Sequence, residues 1–347
     1  MIRIDEIYDN IFSPNILNKP KQSIHYFDPF GRTDPNALQV SPLIIERDKA
    51  FLCWDQEPYF PEVHEYTIDW FQNTFILGNN PKTKVIFITS EKNSKNVNEL
   101  CSKYNFEQNY YFFHGWAALD WYRGYNRTFL IPDFKDRNIS NTFICPNRVV
   151  SGKREHRVEL FTEMVNNNLL NNNKVSFPKV CPYNKEEFNI DGVDLPLVFK
   201  GEDANNIPNE SYKVSLWNHA KNSLLYVVTE TVFKEQTLHL TEKTFKPIVM
   251  QMPFILVAPQ YSLEYLRSYG FKTFNEFWNE DYDNCNNTDR IKHIANLITD
   301  LNNLSTQEIK QLQRHLAPIV EYNYNWFYSN DFENLLWNEL KGMINKW

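Results

Sequence analysis

Tyr226-Val-Val-Thr-Glu-Thr231, Leu240-Thr-Glu-Lys-Thr-Phe-Lys-Pro-Ile248 and Pro253-Phe-Ile-Leu-Val-Ala-Pro259 follow one another in the second half of the chain. The outer two stretches are nearly continuous apolar runs, as expected of strands buried on both faces. The middle one opens on Thr241, a residue type that caps helices by accepting a backbone N–H. Apolar residues then recur at helical spacing through Val249. Strand, helix, strand in this order reads as one crossover unit of a parallel sheet.

The same rhythm runs outward in both directions. In the first half, strands are expected at Ala50–Trp54, Lys84–Thr89, Tyr110–Phe113 and Thr128–Ile131. Helices are expected at Val63–Phe75, Ser94–Tyr104 and from Ala117 through Trp121. Residues 1 to about 40, with their Pro, Asn and Asp clusters, read as irregular. After the polar stretch Asp133–Ser140 the pattern restarts with a strand at Asn141–Cys145. A helix over His156–Leu170 follows, with Val158, Leu160, Phe161, Met164 and Val165 inward. Tyr212–Trp217 and Leu224–Val228 are further strands. Helices are expected at Ser262–Tyr269, stopped by Gly270, and at Thr288–Leu301, Thr306–Tyr322 and Asp331–Trp347. The expected fold is α/β, two facing Rossmann-like domains with C-terminal helices. Residues 1–138 form the first domain and 139–325 the second; the helix over 326–347 packs back on the first. In open parallel sheets ligands sit at the carboxyl ends of the strands.

The 347 residues carry 36 Lys and Arg against 43 Asp and Glu, a formal net charge of -7. That balance disfavours binding nucleic acid by bulk charge. No run approaches the roughly 20 apolar residues of a membrane span, and the N-terminus lacks the apolar core of a signal peptide. The five cysteines are scattered without a CxxC pair, which disfavours a zinc knuckle and a disulfide framework. These features fit a cytoplasmic protein, in a host cytoplasm if the Asn-, Lys- and Ile-rich composition reflects a viral genome.

The polar groups of the second half gather around strand ends. Thr241 opens a helix whose free N–H groups suit phosphate. Lys243 adds a positive charge there, and Glu242 can accept ribose hydroxyls. Glu230 ends the preceding strand. Pro146-Asn-Arg-Val-Val-Ser-Gly-Lys-Arg-Glu-His-Arg157 carries Arg148, Lys153, Arg154 and Arg157 between a strand and a helix, a plausible pyrophosphate cradle. GxGxxG and GxxxxGK[ST] are absent, which disfavours a dinucleotide enzyme and a P-loop. In the first half, Asp55 and Glu57 end a strand and are candidate general bases. His114, Trp116 and Arg123 form an aromatic and polar mixture suited to a sugar or base. Asp281-Tyr-Asp283 has a metal-binding DxD spacing but reads as a solvated loop. No metal ligands and no cofactor are assigned.

Several of these stretches resemble the alpha-1,3-fucosyltransferase family of inverting glycosyltransferases. Leu240-Thr-Glu-Lys243 with Pro253-Phe-Ile-Leu-Val257 is similar to that family's donor motif and following strand. Cys145-Pro-Asn147 and Arg157-Val-Glu-Leu-Phe161 are similar to a second donor element. Asp55-Gln-Glu-Pro58 and Tyr122-Arg-Gly-Tyr-Asn-Arg-Thr-Phe-Leu-Ile-Pro132 partly match acceptor elements. The chain departs from the family in lacking an Asp-Ser-Asp segment and in repeating Thr-Glu at Thr229-Glu230 and Thr241-Glu242. The resemblance implies a GT-B architecture and metal-independent transfer of a sugar from a nucleotide sugar to a glycan hydroxyl. It places Arg157 and Lys243 on the diphosphate and Glu242 on the nucleotide. Three rival readings share the residues: transfer to a hydroxymethylated base in phage DNA, a non-catalytic nucleotide- or sugar-binding protein, and a metal-dependent enzyme using Asp281 and Asp283.

Overall fold

The structure, a computed structural model, describes residues 22–26, 39–40, 49–54, 58–77, 81–110, 122, 133–199, 216–234 and 236–346. The chain divides into two compact units. The first takes Met1–Gly124, Gln236–His239 and Glu333–Trp347; the second takes Tyr125–Glu235 and Leu240–Phe332. Both units are mixed α/β with parallel sheets.

In the first unit, β1 (Gln22–Tyr26), β2 (Gln39–Val40), β3 (Lys49–Trp54), β4 (Lys84–Thr89) and β5 (Glu107–Tyr110) form a sheet in the order β2-β1-β3-β4-β5. β1, β3, β4 and β5 run parallel and β2 pairs antiparallel with β1. The first forty residues were expected to be irregular, yet β1 lies inside the sheet. Gln22-Ser-Ile-His-Tyr26 has only one aliphatic residue, so its pairing with β3 decides its conformation over its composition. β5 lies at Glu107–Tyr110, earlier than the apolar run Tyr110–Phe113 suggested; residues 111–113 are outside the described set, as are the expected strand at Thr128–Ile131 and the helix before Trp121.

Helix α1 (Pro61–Phe71) starts on a proline and runs into a π-helical turn at Gln72–Leu77. α2 (Lys95–Tyr104) is capped by the Ser94 hydroxyl and stops at Asn105, whose left-handed backbone ends helices. Trp54 fills the core between them, packed edge-on against Tyr59 at 5.5 Å and His64 at 4.9 Å. Burial holds the His64 imidazole down to about 4.

The second unit's sheet is built from β6 (Asn141–Pro146), β7 (Lys174–Ser176), β8 (Ser223–Thr229) and β9 (Phe254–Val257), all parallel, in the order β7-β6-β8-β9. Every residue of β8 is buried, which its unbroken apolar run demands of a strand covered on both faces. From β6 the chain crosses to β7 on one side and returns to β8 on the other. The strand order thus reverses between β6 and β8, where doubly wound sheets open a crevice at their carboxyl ends.

Helix α3 (Glu155–Asn166) connects β6 to β7 and ends four residues short of the expected Leu170. Its inner face also differs from expectation. His156, Arg157, Leu160, Phe161 and Met164 are buried, while Val158 and Val165 are only half-buried. Trp217, expected to close a strand, instead begins the short helix α4 (Trp217–Ala220); Tyr212–Ser215 lie outside the described residues. Helix α5 (Glu242–Val249) connects β8 to β9. α6 (Ser262–Ser268), α7 (Asn287–Asn302), α8 (Thr306–Phe327) and α9 (Asn330–Asn345) complete the chain. α7 is capped by Asn286, and α8 begins with a full capping box between Ser305 and Glu308. No helix among the described residues is long and apolar enough to cross a membrane.

Aromatic packing fixes α5 from behind. Phe245 is fully buried, 5.7 Å from Phe271 and 5.6 Å from Phe327 of α8. α6 ends at Ser268 with Tyr269 as its cap, and Gly270 then takes the left-handed conformation at φ 86°. A Cβ there would lie 2.8 Å from the Trp326 indole, which donates to the Tyr269 carbonyl at 2.8 Å. Gly270→Ala therefore combines backbone strain with a clash against an anchored ring. It should cost about 1–3 kcal/mol, read as a lower denaturant midpoint with an unchanged slope. A variant as stable as the parent would contradict this packing.

Candidate functional site

The residues at the β6/β8 reversal are held together by main-chain and side-chain bonds of one unit. Asn147, just past β6, accepts from the Thr229 hydroxyl at 2.9 Å, closing the carboxyl ends of the two strands onto each other. Beyond it, Arg148 is exposed, Val150 and Ser151 are buried, and Gly152 turns the chain at φ 62° into α3. Lys153 is exposed and Arg154 half-buried.

Arg157 points the other way, inward. It is 5% exposed. Its terminal nitrogens donate to the carbonyls of Val149 at 2.7 Å, Thr229 at 2.8 Å and Glu230 at 3.0 Å. Burial, reinforced by the nearby Arg154 cation, pulls its pKa down to about 10. The guanidinium braces the loop against the end of β8, and its Nε faces no acceptor among the described residues. His156 beside it donates Nε2–H to the same Glu230 carbonyl at 3.1 Å and stacks on Phe233 at 4.8 Å.

Glu230 is fully buried. Its Oε1 accepts from the Thr241 backbone N–H at 3.0 Å and the Thr244 hydroxyl at 2.6 Å, and its Oε2 accepts from the Thr241 hydroxyl at 2.6 Å. Thr241 in turn accepts from the Lys243 N–H at 3.2 Å, capping α5. Glu230 and Thr241 were expected to meet a ligand directly. They shape the first turn of α5 from within instead, and leave the end of that helix already supplied with a carboxylate and a hydroxyl. Lys243 keeps 35% side-chain exposure, with its ammonium 2.7 Å from Glu242, whose side chain is 11% exposed.

Among the described residues near the strand ends, Arg148 and Lys153 are exposed and Arg154 and Lys243 half-buried. The turn after β7 abuts the same loop: Cys181 Sγ lies 2.9 Å from the Ser151 hydroxyl. Burial alone would raise this thiol's pKa, but the Ser151 hydroxyl and the amides of Tyr183, Val150 and Ser151 draw it down to about 7.

Asp281 and Asp283 are separated in role. Asp281 is exposed, while Asp283 is 4% exposed. Asp283 accepts from the Leu263 N–H at 3.0 Å and the Glu264 N–H at 3.2 Å, holding the start of α6. The expected solvated loop is a short helical turn with one carboxylate turned inward. Among the described residues no group of three or more His, Cys, Asp or Glu is placed to hold a metal ion. A cavity of about 670 Å³ lies along α7 and α8, lined by Trp278, His293 and Asp300 among others, and none of the expected site residues among the described ones lines it.

Asp55, Glu57, His114, Trp116 and Arg123 lie outside the described residues. The first unit does show groups at strand ends that sequence reasoning missed. Glu91, just past β4, is fully buried and accepts from the Tyr59 N–H. Ser90 lies 3.3 Å from Nδ1 of His239, and Lys92 pairs with Leu238. In the second unit His156 and Thr244 were missed. His156 precedes Leu160 and Met164 by one and two helical steps, so its inward position was legible from spacing. Thr244 is one turn beyond Thr241, where a second hydroxyl can reach the same carboxylate.

The chain matches no family model, no curated protein and no solved structure.

Burial, then the Arg157 cation, holds the His156 pKa well below 6.5. The unfolded chain, with its ordinary imidazole, takes up a proton below about pH 6.5 that the folded chain refuses. Stability is whole above that pH and falls as pH drops, by about 1.4 kcal/mol per pH unit for this group. Denaturant midpoints measured from neutral to mildly acidic pH should show the loss, and His156→Gln should lessen it. An equal pH dependence in the variant would contradict a buried neutral His156; His64 supplies a parallel contribution that the variant leaves in place.

Proposed function

We propose that this protein is a glycosyltransferase that moves a sugar from a nucleotide sugar to an acceptor hydroxyl. The observation that carries the reading is the reversal of strand order between β6 and β8 with cations gathered at its carboxyl end. A parallel α/β sheet recruits phosphate-bearing ligands at that position. There Lys243 and Arg154 retain exposure while Arg157, His156 and Glu230 hold the loops beneath them. The motifs resembling the alpha-1,3-fucosyltransferase family fall on the same segments, Leu240–Lys243 and Arg157–Phe161.

In this reading the acceptor oxygen attacks the anomeric carbon as the bond to the diphosphate oxygen breaks. The acceptor proton passes to a carboxylate, Asp55 or Glu57. The electron pair of the breaking bond stays on the diphosphate, whose growing charge Lys243 and Arg154 stabilise electrostatically. Arg157 acts through the carbonyls it holds, as a positioning residue. Glu242 restrains the Lys243 ammonium and can accept a ribose hydroxyl. The acceptor is a glycan in this proposal.

The test is release of nucleoside diphosphate from a panel of UDP-, GDP-, ADP-, CDP- and dTDP-sugars, with water as the default acceptor. One donor should raise the melting temperature and be turned over. Lys243→Ala should lower that turnover by about a hundredfold or more while leaving the melting temperature without ligand nearly unchanged. Parent-like turnover in the variant, or no donor that binds, would overturn the proposal.

A further inference from the structure

The turn after β7 carries an exposed aromatic residue that the proposed reaction has not used. Tyr183 is 70% exposed. Single exposed aromatics are ordinary on protein surfaces, but three features set this one apart. First, its turn is rigid. Cys181 N–H donates to the Glu186 carbonyl at 2.8 Å, Lys185 N–H donates back to the Cys181 carbonyl at 3.1 Å, and Val180 bridges Glu187. Second, the turn is pinned to the loop after β6 by the contact between Cys181 and Ser151. Third, the Arg154 guanidinium sits over the ring, 5.6 Å from its centre. Arg154 is also the residue that starts α3 and one of the cations assigned to the diphosphate. The ring is therefore set beside the phosphate-binding loop, with most of its surface open.

Topology gives the ring a direction. β7 lies on the far side of β6 from β8. A nucleotide sugar whose diphosphate sits at the β6/β8 reversal extends one end towards β7 and the other towards β8. We propose that Tyr183 is the stacking platform for the nucleobase of the donor, with Arg154 linking the platform to the diphosphate. The base lies on the β7 side and the sugar on the β8 side. A planar π-face held next to a guanidinium suits a base, because both stack on it without needing hydrogen-bond partners. This inference rests on the glycosyltransferase reading, and names the part of the donor that this edge of the same site takes.

Calorimetric titration with UDP, GDP, ADP, CDP, dTDP and inorganic pyrophosphate tests it, using the full chain, Tyr183→Ala and Tyr183→Trp. The nucleoside diphosphate bound best by the parent should bind Tyr183→Ala about tenfold or more weakly, within the range of base–aromatic stacking. Tyr183→Trp should restore it, and pyrophosphate should bind all three proteins alike. Unchanged nucleotide affinity in Tyr183→Ala would overturn the platform while leaving the transferase reading in place. So would an equal loss for pyrophosphate, which marks a collapse of the loop. A parent protein that binds none of the nucleotides would overturn both.

Discussion

Glu230 stands one residue beyond β8 with its carboxylate fully buried, and three donors from the start of α5 converge on it. Its own carbonyl accepts from His156 and Arg157 at the start of α3. One residue thus joins two helix starts to the end of a central strand. A buried carboxyl group without partners is costly, so the donors and the carboxyl group must come together. Removing the donors leaves it unsatisfied, typically at about 1–3 kcal/mol. The positions of Lys243 and of the loop bearing Arg154 both follow from this arrangement.

The cations of the region consequently divide by direction. Arg157 and Arg290 are buried and hold carbonyls: Arg157 those of Val149, Thr229 and Glu230, Arg290 those of Ala258 and Cys285. Burial lowers the pKa of both. They act as cross-braces at the ends of β8 and β9. Lys243, Arg154, Lys153 and Arg148 retain solvent exposure. In the proposed reaction the braces set geometry and the exposed cations supply charge, which is the division that electrostatic preorganisation requires.

The parallel sheets were legible because Lys84–Thr89, Asn141–Cys145, Leu224–Val228 and Phe254–Val257 are apolar enough to demand burial on both faces. β1 was not, since Gln22, Ser23 and His25 give no such signal and its conformation comes from pairing with β3. The start of α5 was read correctly from Thr241, but the use of its N–H groups was not. Sequence places Glu230 eleven positions from Thr241, and only the fold brings its carboxylate to that N–H. The inward face of α3 was misjudged because valines were preferred over His156 and Arg157. Both polar residues tolerate burial by donating to carbonyls that a hydropathy pattern does not register. Asp283 shows the same limit: its spacing from Asp281 suggests metal, whereas its partners are the backbone N–H groups of Leu263 and Glu264.

The most direct measurement is a crystal structure of the protein with a nucleoside diphosphate. The diphosphate is expected at the carboxyl ends of β6 and β8, within about 3 Å of the Lys243 ammonium as charge-assisted hydrogen bonds require, with Glu230 still bound to Thr241 and Thr244. A diphosphate seated in the cavity along α7 and α8, or one that displaces Glu230 from the start of α5, would contradict it.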